Sequence, residues 1–563
     1  MKFLNNIPAY LKVLVILFLV NVFGASYFQR FDLTQDKRYT LSEPAKVILD
    51  QVNSPMIIDV FLEGDFPAEF RRLQSETKYL LEEFNAYNPN ISFFFSNPVY
   101  KSADAEQIAS QFANVEMTPA RVNVRKNGQE SVQLVFPWAT ANHNDKAAPV
   151  QLLKPVLGAS SEERVTASLQ NLEYAFINSF TKLIKEKSKK IAVLKGNGSL
   201  PDGKLADMLR SLQDSYYLAP FALDSITTNP EQALKALQNT FDMVLVAKPT
   251  KAFTDEQKLV LDQFILSGGK SLWLLDPVAI ENDSLYKNGS AFALNRDLNL
   301  NDLFFKYGAR VNPTLVKDLF AAPIRLAQGE GTQTQYFNAP WFYQPLVTAQ
   351  NNHPITTNIE RPIRFNYSGQ IDTLASAPQI KKTALLQSSS RSKLEGVPKE
   401  ISLNSINAQP NPDDYNAGSQ MLSVLLEGTF DSAFKNRIKP IDFEEVRFRE
   451  SGKSPTKIIL VADGDLIAND LDQQQNPLEL GFDKLTGQQY GNKEFLLNAV
   501  NYLLDDDGLI NIRSKEIAIP FLNIPKTVEE LPKWQSLSIG LPLGFLVLFG
   551  LLFYQFRKRR YAR

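Results

Sequence analysis

The sequence predicts an α/β protein whose two-domain body is held between two terminal membrane helices, on three observations. Apolar stretches stand at opposite ends of the chain, Val13 to Phe28 and Leu537 to Phe556, and nothing between them is long and apolar enough to cross a bilayer. The intervening chain alternates short apolar runs with helical patterns, as strand and helix units do. The pattern changes near residue 188, where buried parallel-type strands begin. The expected organisation is a cytoplasmic tip and first transmembrane helix over 1–29, an N-terminal domain over 30–160 and a connecting helix over 161–188. A second α/β domain occupies 189–525 with a loop-rich insertion near 319–410, then a C-terminal transmembrane helix with its approach over 526–556 and a basic tail over 557–563.

The C-terminal stretch runs for about 20 residues without a charge, enough for a hydrocarbon core. It ends at Arg557, Lys558, Arg559 and Arg560, and such a cluster resists translocation, which places the C-terminus in the cytoplasm. The first stretch carries Asn21, with Lys2 and Lys12 before it; Gly24-Ala25-Ser26 offers the small residues of a cleavable signal. A retained anchor is preferred, because Tyr27 and Phe28 continue the apolar run and suit an interfacial aromatic belt. Either reading exports the body of the chain.

Between the anchors lie roughly 500 residues, ample for sizeable cores. The 60 basic and 61 acidic side chains nearly cancel, so no strong field favours a polyanion and no nucleic-acid partner is expected. The chain has no cysteine, which excludes disulfides, thiolate zinc sites and cysteine nucleophiles.

In order along the chain, Thr40 and Glu43 have capping-box spacing, Ser42 is a rival N-cap, and Pro44 is tolerated in a first turn. Met56 to Leu62 reads as a strand, Ala68 to Asn85 as an amphipathic helix and Ile91 to Phe95 as a strand. A helical stretch near Ala103 to Phe112 comes next, then strands Ala120 to Val124 and Val132 to Phe136 across an Asn127-Gly128 turn. This β-α-β-α-β-β order, with Pro119 at the start of the third strand, resembles a thioredoxin-like domain without redox cysteines.

Val165 to Ile184 places Leu169, Leu172, Phe176 and Phe180 at helical spacing. Ile191 to Leu194, Phe241 to Ala247 and Ser271 to Leu275 read as buried strands, separated by helices near Leu205 to Gln213 and from a Thr254 cap to Leu266. From Leu319 to Pro410 the pattern weakens, and Ser388 to Ser405 reads as an exposed or mobile loop. The sheet resumes with Met421 to Leu426 and Lys457 to Ala462, and Asn492 to Leu503 is a helix with Phe495, Leu496, Ala499 and Leu503 on one face.

Candidate chemistry is sparse. Ser267-Gly268-Gly269-Lys270-Ser271 ends like a P-loop, but Phe264 stands where the leading Gly belongs, and the run comes after a helix and opens a strand, the reverse of a phosphate cradle. Asp463-Gly464-Asp465 closes a strand and offers paired carboxylates; a turn with an Asp cap is the plainer reading. His143 and His353, the only two histidines, lie in polar surroundings and read as solvated. No catalytic, cofactor or metal residue is assigned. Gly540 and Gly544, with Pro542 between them, are spaced for close helix packing in lipid.

Several segments together carry a family resemblance: Arg30 to Ser42, Phe61 to Pro67, the helix and strand around Ser267-Gly268-Gly269, Leu425 to Gly428, Asp463 to Asp465, and Asn498 to Arg513. In this order between terminal anchors, the chain resembles the GldG family, gliding-motility-associated auxiliary subunits of ABC transporters in Bacteroidota. The middle segment resembles the class I glutamine amidotransferase-like fold of that family, whose chemistry requires a cysteine that this chain lacks. The resemblance implies that a separate ATPase hydrolyses ATP and a separate permease completes the transporter, so no cofactor is expected.

The leading expectation is therefore a non-enzymatic subunit of the bacterial inner membrane, both termini cytoplasmic. Its spans lie in lipid and pack on the permease, and its periplasmic ectodomain meets an envelope or substrate partner. Two alternatives stand beside it: a periplasmic receptor holding a small molecule, peptide or glycan between its two domains, and a hydrolase built on Asp463 and Asp465.

Overall fold

The computed structural model describes residues 13–18, 21, 40–99, 105–115, 117–126, 129–154, 161–329, 334–348, 353–357, 359, 361–505, 508, 512 and 524–561. Most of the first apolar segment, including Gly24 to Ser26, lies outside them, as do the Asn127-Gly128 turn and most of Arg30 to Ser42. The chain forms two units, Met1–Glu516 and Ile517–Arg563.

The first unit begins with α1 (Glu43–Leu49), and of the two caps on offer Ser42 is used: its hydroxyl accepts the Ala45 N–H at 3.4 Å. β1 (Met56–Val60), α2 (Ala68–Tyr87) and β2 (Ile91–Phe95) form a unit in which the strands pair in parallel. After α3 (Ala105–Asn114), β3 (Ala120–Lys126) and β4 (Gln129–Val135) pair only with each other. The β-α-β-α-β-β order along the chain is the expected one, but among the described residues the last two strands form a sheet of their own.

The sheet is instead completed by β5 (Trp138–His143) and β6 (Lys146–Gln151), in the order β2-β1-β5-β6, with β5 antiparallel to β1. These strands are hard to read because their inward positions include Ala139, Ala141 and Ala148, which give little apolar contrast. His143 takes the third inward position of β5 and is buried, within 3.4 Å of Ser54 Oγ and 3.3 Å of Pro55 O, not solvated. The long helix α4 (Ser161–Ile184) then covers the sheet, its Phe180 ring 5.6 Å from Phe84 of α2.

Next come β7 (Lys190–Lys195), α5 (Asp202–Gln213), β8 (Tyr217–Ala222), α6 (Leu223–Thr228), α7 (Pro230–Thr240), β9 (Met243–Ala247), α8 (Asp255–Leu266) and β10 (Lys270–Leu274). With β11 (Ile380–Gln387), β12 (Met421–Gly428) and β13 (Thr456–Val461) they build a seven-stranded sheet ordered β11-β12-β13-β10-β9-β7-β8. The five strands from β13 to β8 are mutually parallel; β12 is antiparallel to β13, and β11, antiparallel to β12, runs in the same direction as the five.

Both faces are covered, which is why β9 is apolar throughout. Val244 and Val246 face one core, with Leu234, Leu259 and Trp273. Met243 and Leu245 face the other, against Leu205 and Met208 of α5 and Phe495 and Leu496 of α9 (Asn492–Leu504).

α8 is buried along most of its length and opens with a complete capping box: Thr254 Oγ1 accepts the Gln257 N–H at 3.3 Å and Gln257 Oε1 accepts the Thr254 N–H at 3.1 Å. Thr254→Ala is therefore expected to lower stability by about 1 kcal/mol in a denaturant titration. Asp262, fully buried in α8, accepts from Tyr307 Oη at 2.8 Å, Ser432 Oγ at 2.7 Å and Ala433 N at 2.9 Å. Burial still pushes its carboxyl above the ordinary value. The helix ends at Ser267-Gly268-Gly269, where a Cβ on Gly269 would lie 2.3 Å from the Phe264 ring. The P-loop-like run is thus a helix exit.

The stretch from Leu319 to Pro410 is not the loop-rich insertion expected. It contains a long hairpin of Ala321–Gln328 and Gln335–Val347, the core strand β11, and strands Ser392–Gly396 and Lys399–Ser402. Trp341 and Tyr343 anchor a separate small core. Ser388 and Ser392 are fully buried; Ser388 Oγ, for example, accepts the Gln420 N–H at 2.8 Å. Hydrogen bonding to the backbone lets polar side chains occupy interior positions.

The second unit is α10 (Ile524–Tyr561), with Pro532 and Pro542 inside it. Among the described residues it contains the one helix long and apolar enough to cross a membrane, over Glu529–Tyr561. A Cβ at Gly540 or Gly544 would meet nothing within 4 Å.

Candidate functional site

Parallel strands bring their C-terminal ends to one edge, and in open α/β sheets that edge is where ligands bind. Here β9 ends at Ala247-Lys248, β10 runs on to Asp276, and β13 runs on to Asp463-Gly464-Asp465. Lys248 has φ 49°, in the left-handed region, at a strand-to-helix turn. It carries an ammonium at the start of the seven-residue connection, 248–254, between β9 and α8.

That ammonium lies 3.3 Å from Asp276 Oδ2 and is ion-paired with Asp465 Oδ1; Arg296 approaches Asp276 at 4.0 Å. Asp463 is 1% exposed and accepts the Asn366 N–H at 2.6 Å and the Asp465 N–H at 2.8 Å. Asp465 Oδ2 accepts Asn366 Nδ2 at 3.0 Å. Gly464 permits the close approach: a Cβ there would fall 2.6 Å from Lys248 Cγ and 2.9 Å from Asp276 Oδ1.

Burial pushes the Asp463 carboxyl well above the usual range, helped by Asp465 and Asp276; it raises Asp276 as well, outweighing Lys248 and Arg296. Burial works against the Lys248 ammonium, but the charges of Asp276 and Asp465 outweigh it and hold the amine protonated beyond the ordinary lysine value. A lysine so held supplies neither a free nucleophile nor a base at neutral pH. The cluster joins the ends of three strands by ion pairs. Of the sequence reading of Asp463-Gly464-Asp465, the strand-ending turn agrees with this geometry and leads into a short 3-10 segment at Asp465–Ile467, but the N-cap is Gly464 with no side-chain cap, so the expected Asp cap is not formed.

The crevice where strand order reverses, between β7 and β9, is bridged by the chain itself. Thr250 N and Lys251 N each donate to Asn197 O at 2.8 Å, and Thr250 Oγ1 donates to Gly198 O at 3.1 Å. His353 lies elsewhere, half-buried with its ring 5.0 Å from that of Tyr502, and burial lowers its pKa. The structure therefore brings the two carboxylates together and leaves the two histidines apart. Among the described residues, no group of three or more His, Cys, Asp or Glu side chains is placed to hold a metal ion.

A polar cleft of about 610 Å³ opens between the β5–β6 edge and the parallel-sheet region. Trp138, Gln151 and Lys154 line it from the first sheet; Asn171, Tyr174, Asn178 and Lys182 come from α4. Ser211, Ser215 and Tyr216 at the end of α5 form another wall, and Glu494, Asn498 and Asn501 on α9 a third. A further cavity of about 350 Å³ shares Tyr174, Asn178, Lys182, Tyr216 and Asn501 with it. Tyr216 Oη donates to Asn501 Oδ1 at 2.9 Å, and burial raises the phenol's pKa.

Sequence reasoning offered a ligand site between the two domains as an alternative but named no residue of it, although a signal existed. Asn171, Asn178 and Lys182 share one face of α4, and Glu494, Asn498 and Asn501 one face of α9, in each case beside the apolar stripe that defines the helix.

Comparison with known proteins gives matches to both sheet regions of the chain. A family model for a domain of unknown function matches residues 35–142. A protein of Borreliella burgdorferi described as uncharacterized is 20% identical over 561 residues, covering 98% of this chain and 97% of that protein. The solved mmIFT52 N-terminal domain is 12% identical, with a TM-score of 0.31, over 57% of this chain and 99% of that one. The model for an ABC-type uncharacterized transport system matches residues 188–499, from β7 to within α9. That span exceeds half of the sequence, and the chain belongs to this ABC transport auxiliary family.

Proposed function

We propose that the protein is a non-enzymatic, membrane-anchored auxiliary subunit of a gliding-motility-associated ABC transporter, packing on the permease while a separate subunit hydrolyses ATP. The observation that carries this reading is the family match over the parallel-sheet region in a chain that also bears a membrane-length helix. The strand order β2-β1-β5-β6 followed by α4 supports a thioredoxin-like N-terminal domain. The parallel order β8-β7-β9-β10-β13 supports an amidotransferase-like second domain. In this reading the protein sits in the bacterial inner membrane with both termini cytoplasmic, and the basic end of α10 favours that side for the C-terminus.

The open faces of Gly540 and Gly544 are where a permease helix can approach closely. The test is purification of the tagged chain in mild detergent. The permease and ATPase are expected to co-purify, and Gly544→Leu to reduce their recovery several-fold. Recovery of the chain with neither subunit would sink the proposal.

A second reading, a periplasmic ligand receptor, is favoured by the polar cleft, since both sheet regions contribute walls to one cavity of ligand size. The hydrolase reading finds less support, because Asp465 is committed to Lys248 and Asp463 is sealed from solvent.

A further inference from the structure

The chemistry of the cleft walls narrows what can occupy them. Among the described residues, the side-chain amides of Gln151, Asn171 and Asn178 make no hydrogen bond within the protein, yet all three line the cleft. A carboxamide presents two donor hydrogens and a two-lone-pair acceptor, the same dual capacity as a hydroxyl, with no formal charge. Amides spaced seven residues apart on α4 stand two helical turns apart on one face, about 10 Å along the axis. That separation addresses hydroxyls on more than one ring of a polyol.

Charge gives little selection: Lys154, Lys182 and Arg361 share the lining with Glu479 and Glu494, so an ion of either sign meets repulsion as well as attraction. A peptide would require apolar pockets for alternate side chains, and polar surface dominates here. Trp138 and Tyr216 add aromatic rings of the kind that pack against apolar C–H faces.

We propose that the cleft binds a short neutral oligosaccharide, whose hydroxyls are held by Gln151, Asn171 and Asn178 with Asn501 on the facing helix. This inference rests on the receptor reading of the same cleft. The volume of about 610 Å³ is of the size that encloses small ligands, and the adjoining cavity beyond Asn178 and Asn501 lets a longer chain continue.

The experiment is calorimetric titration of the full chain, solubilised in a polyoxyethylene detergent so that no sugar headgroup competes. Four probes of similar length are compared: maltotriose, tri-N-acetylchitotriose, trigalacturonate and trialanine. At least one of the two neutral trisaccharides is expected to bind saturably. Asn171→Leu and Asn178→Leu are each expected to weaken that binding at least tenfold, with no change in thermal midpoint, because neither side chain holds a hydrogen bond in the fold. Asn178→Ala repeats the test should a leucine disturb folding.

Failure of both neutral sugars, or binding indifferent to every variant, overturns the proposal. If trialanine or trigalacturonate binds instead and the variants weaken it, the ligand class falls while the receptor reading stands. If none of the four probes binds, both fall.

Discussion

Replacing Lys248 by methionine is expected to lower the stability of the protein by about 3 kcal/mol, near the lower end of the range for breaking a buried ion pair. Methionine keeps much of the apolar stem and removes the ammonium. What remains is Asp276, Asp463 and Asp465 converging at the ends of β10 and β13 with Arg296 4.0 Å from Asp276 as the remaining nearby cation. The lower end applies because the Lys248 side chain retains 20% exposure and water can partly solvate the carboxylates left behind.

The deficit should depend on pH, and its sign is set by the carboxyls. Asp276 and Asp463 hold protons more tightly folded than unfolded, so their ionisation costs stability as pH rises above the ordinary carboxyl range. Lys248 limits that loss in the native chain. The gap between variant and native protein should therefore be small near pH 4 and widen toward pH 7. Guanidinium titrations at the two pH values measure it; a constant gap, or one below about 1 kcal/mol at pH 7, would show that the ammonium does not hold the strand ends together.

Trp273→Ala is expected to cost about 3–5 kcal/mol, the range for removing a fully buried tryptophan. Trp273 is on β10, the central strand of the seven, with no exposure. Its ring meets Phe304 edge-on with centroids 5.2 Å apart and Phe253 at 6.1 Å, and its Nε1 donates to Ser271 Oγ at 2.8 Å. Alanine leaves a cavity between α8 and the sheet and removes the Ser271 partner. Trp273→Phe, which keeps a ring but loses the donor, should recover at least half of the loss. Thermal denaturation of the three proteins side by side decides this; equal midpoints for Trp273→Ala and native protein would contradict the packing described.

The parts of the fold legible in sequence are those where one local rule dominates. Met243 to Ala247 is apolar at every position because helices cover both faces of its sheet, and Thr254 with Gln257 has the spacing that closes a capping box. β5 and β6 escaped because alanines at inward positions make the alternation faint. Ser388 and Ser392 look like loop residues, yet are interior because backbone groups from distant segments satisfy their hydroxyls. His143 read as solvated for the same reason: burial of a polar side chain depends on partners that local spacing does not show.

The candidate sites divide in the same way. The Asp463-Gly464-Asp465 turn was visible, but the lysine that neutralises it is 217 positions away from Asp465, and only parallel pairing of β9, β10 and β13 brings them together. The cleft amides come from segments separated by more than 300 residues in the case of Asn171 and Asn501.

By itself the sequence determined the membrane-length C-terminal helix, the strand-helix alternation of an α/β protein, and the exclusion of all cysteine chemistry. Those properties reside in composition and short-range period. Tertiary structure alone decided which polar groups are buried, which charges neutralise one another and where a cavity remains, because each is set by contact between residues remote in the chain.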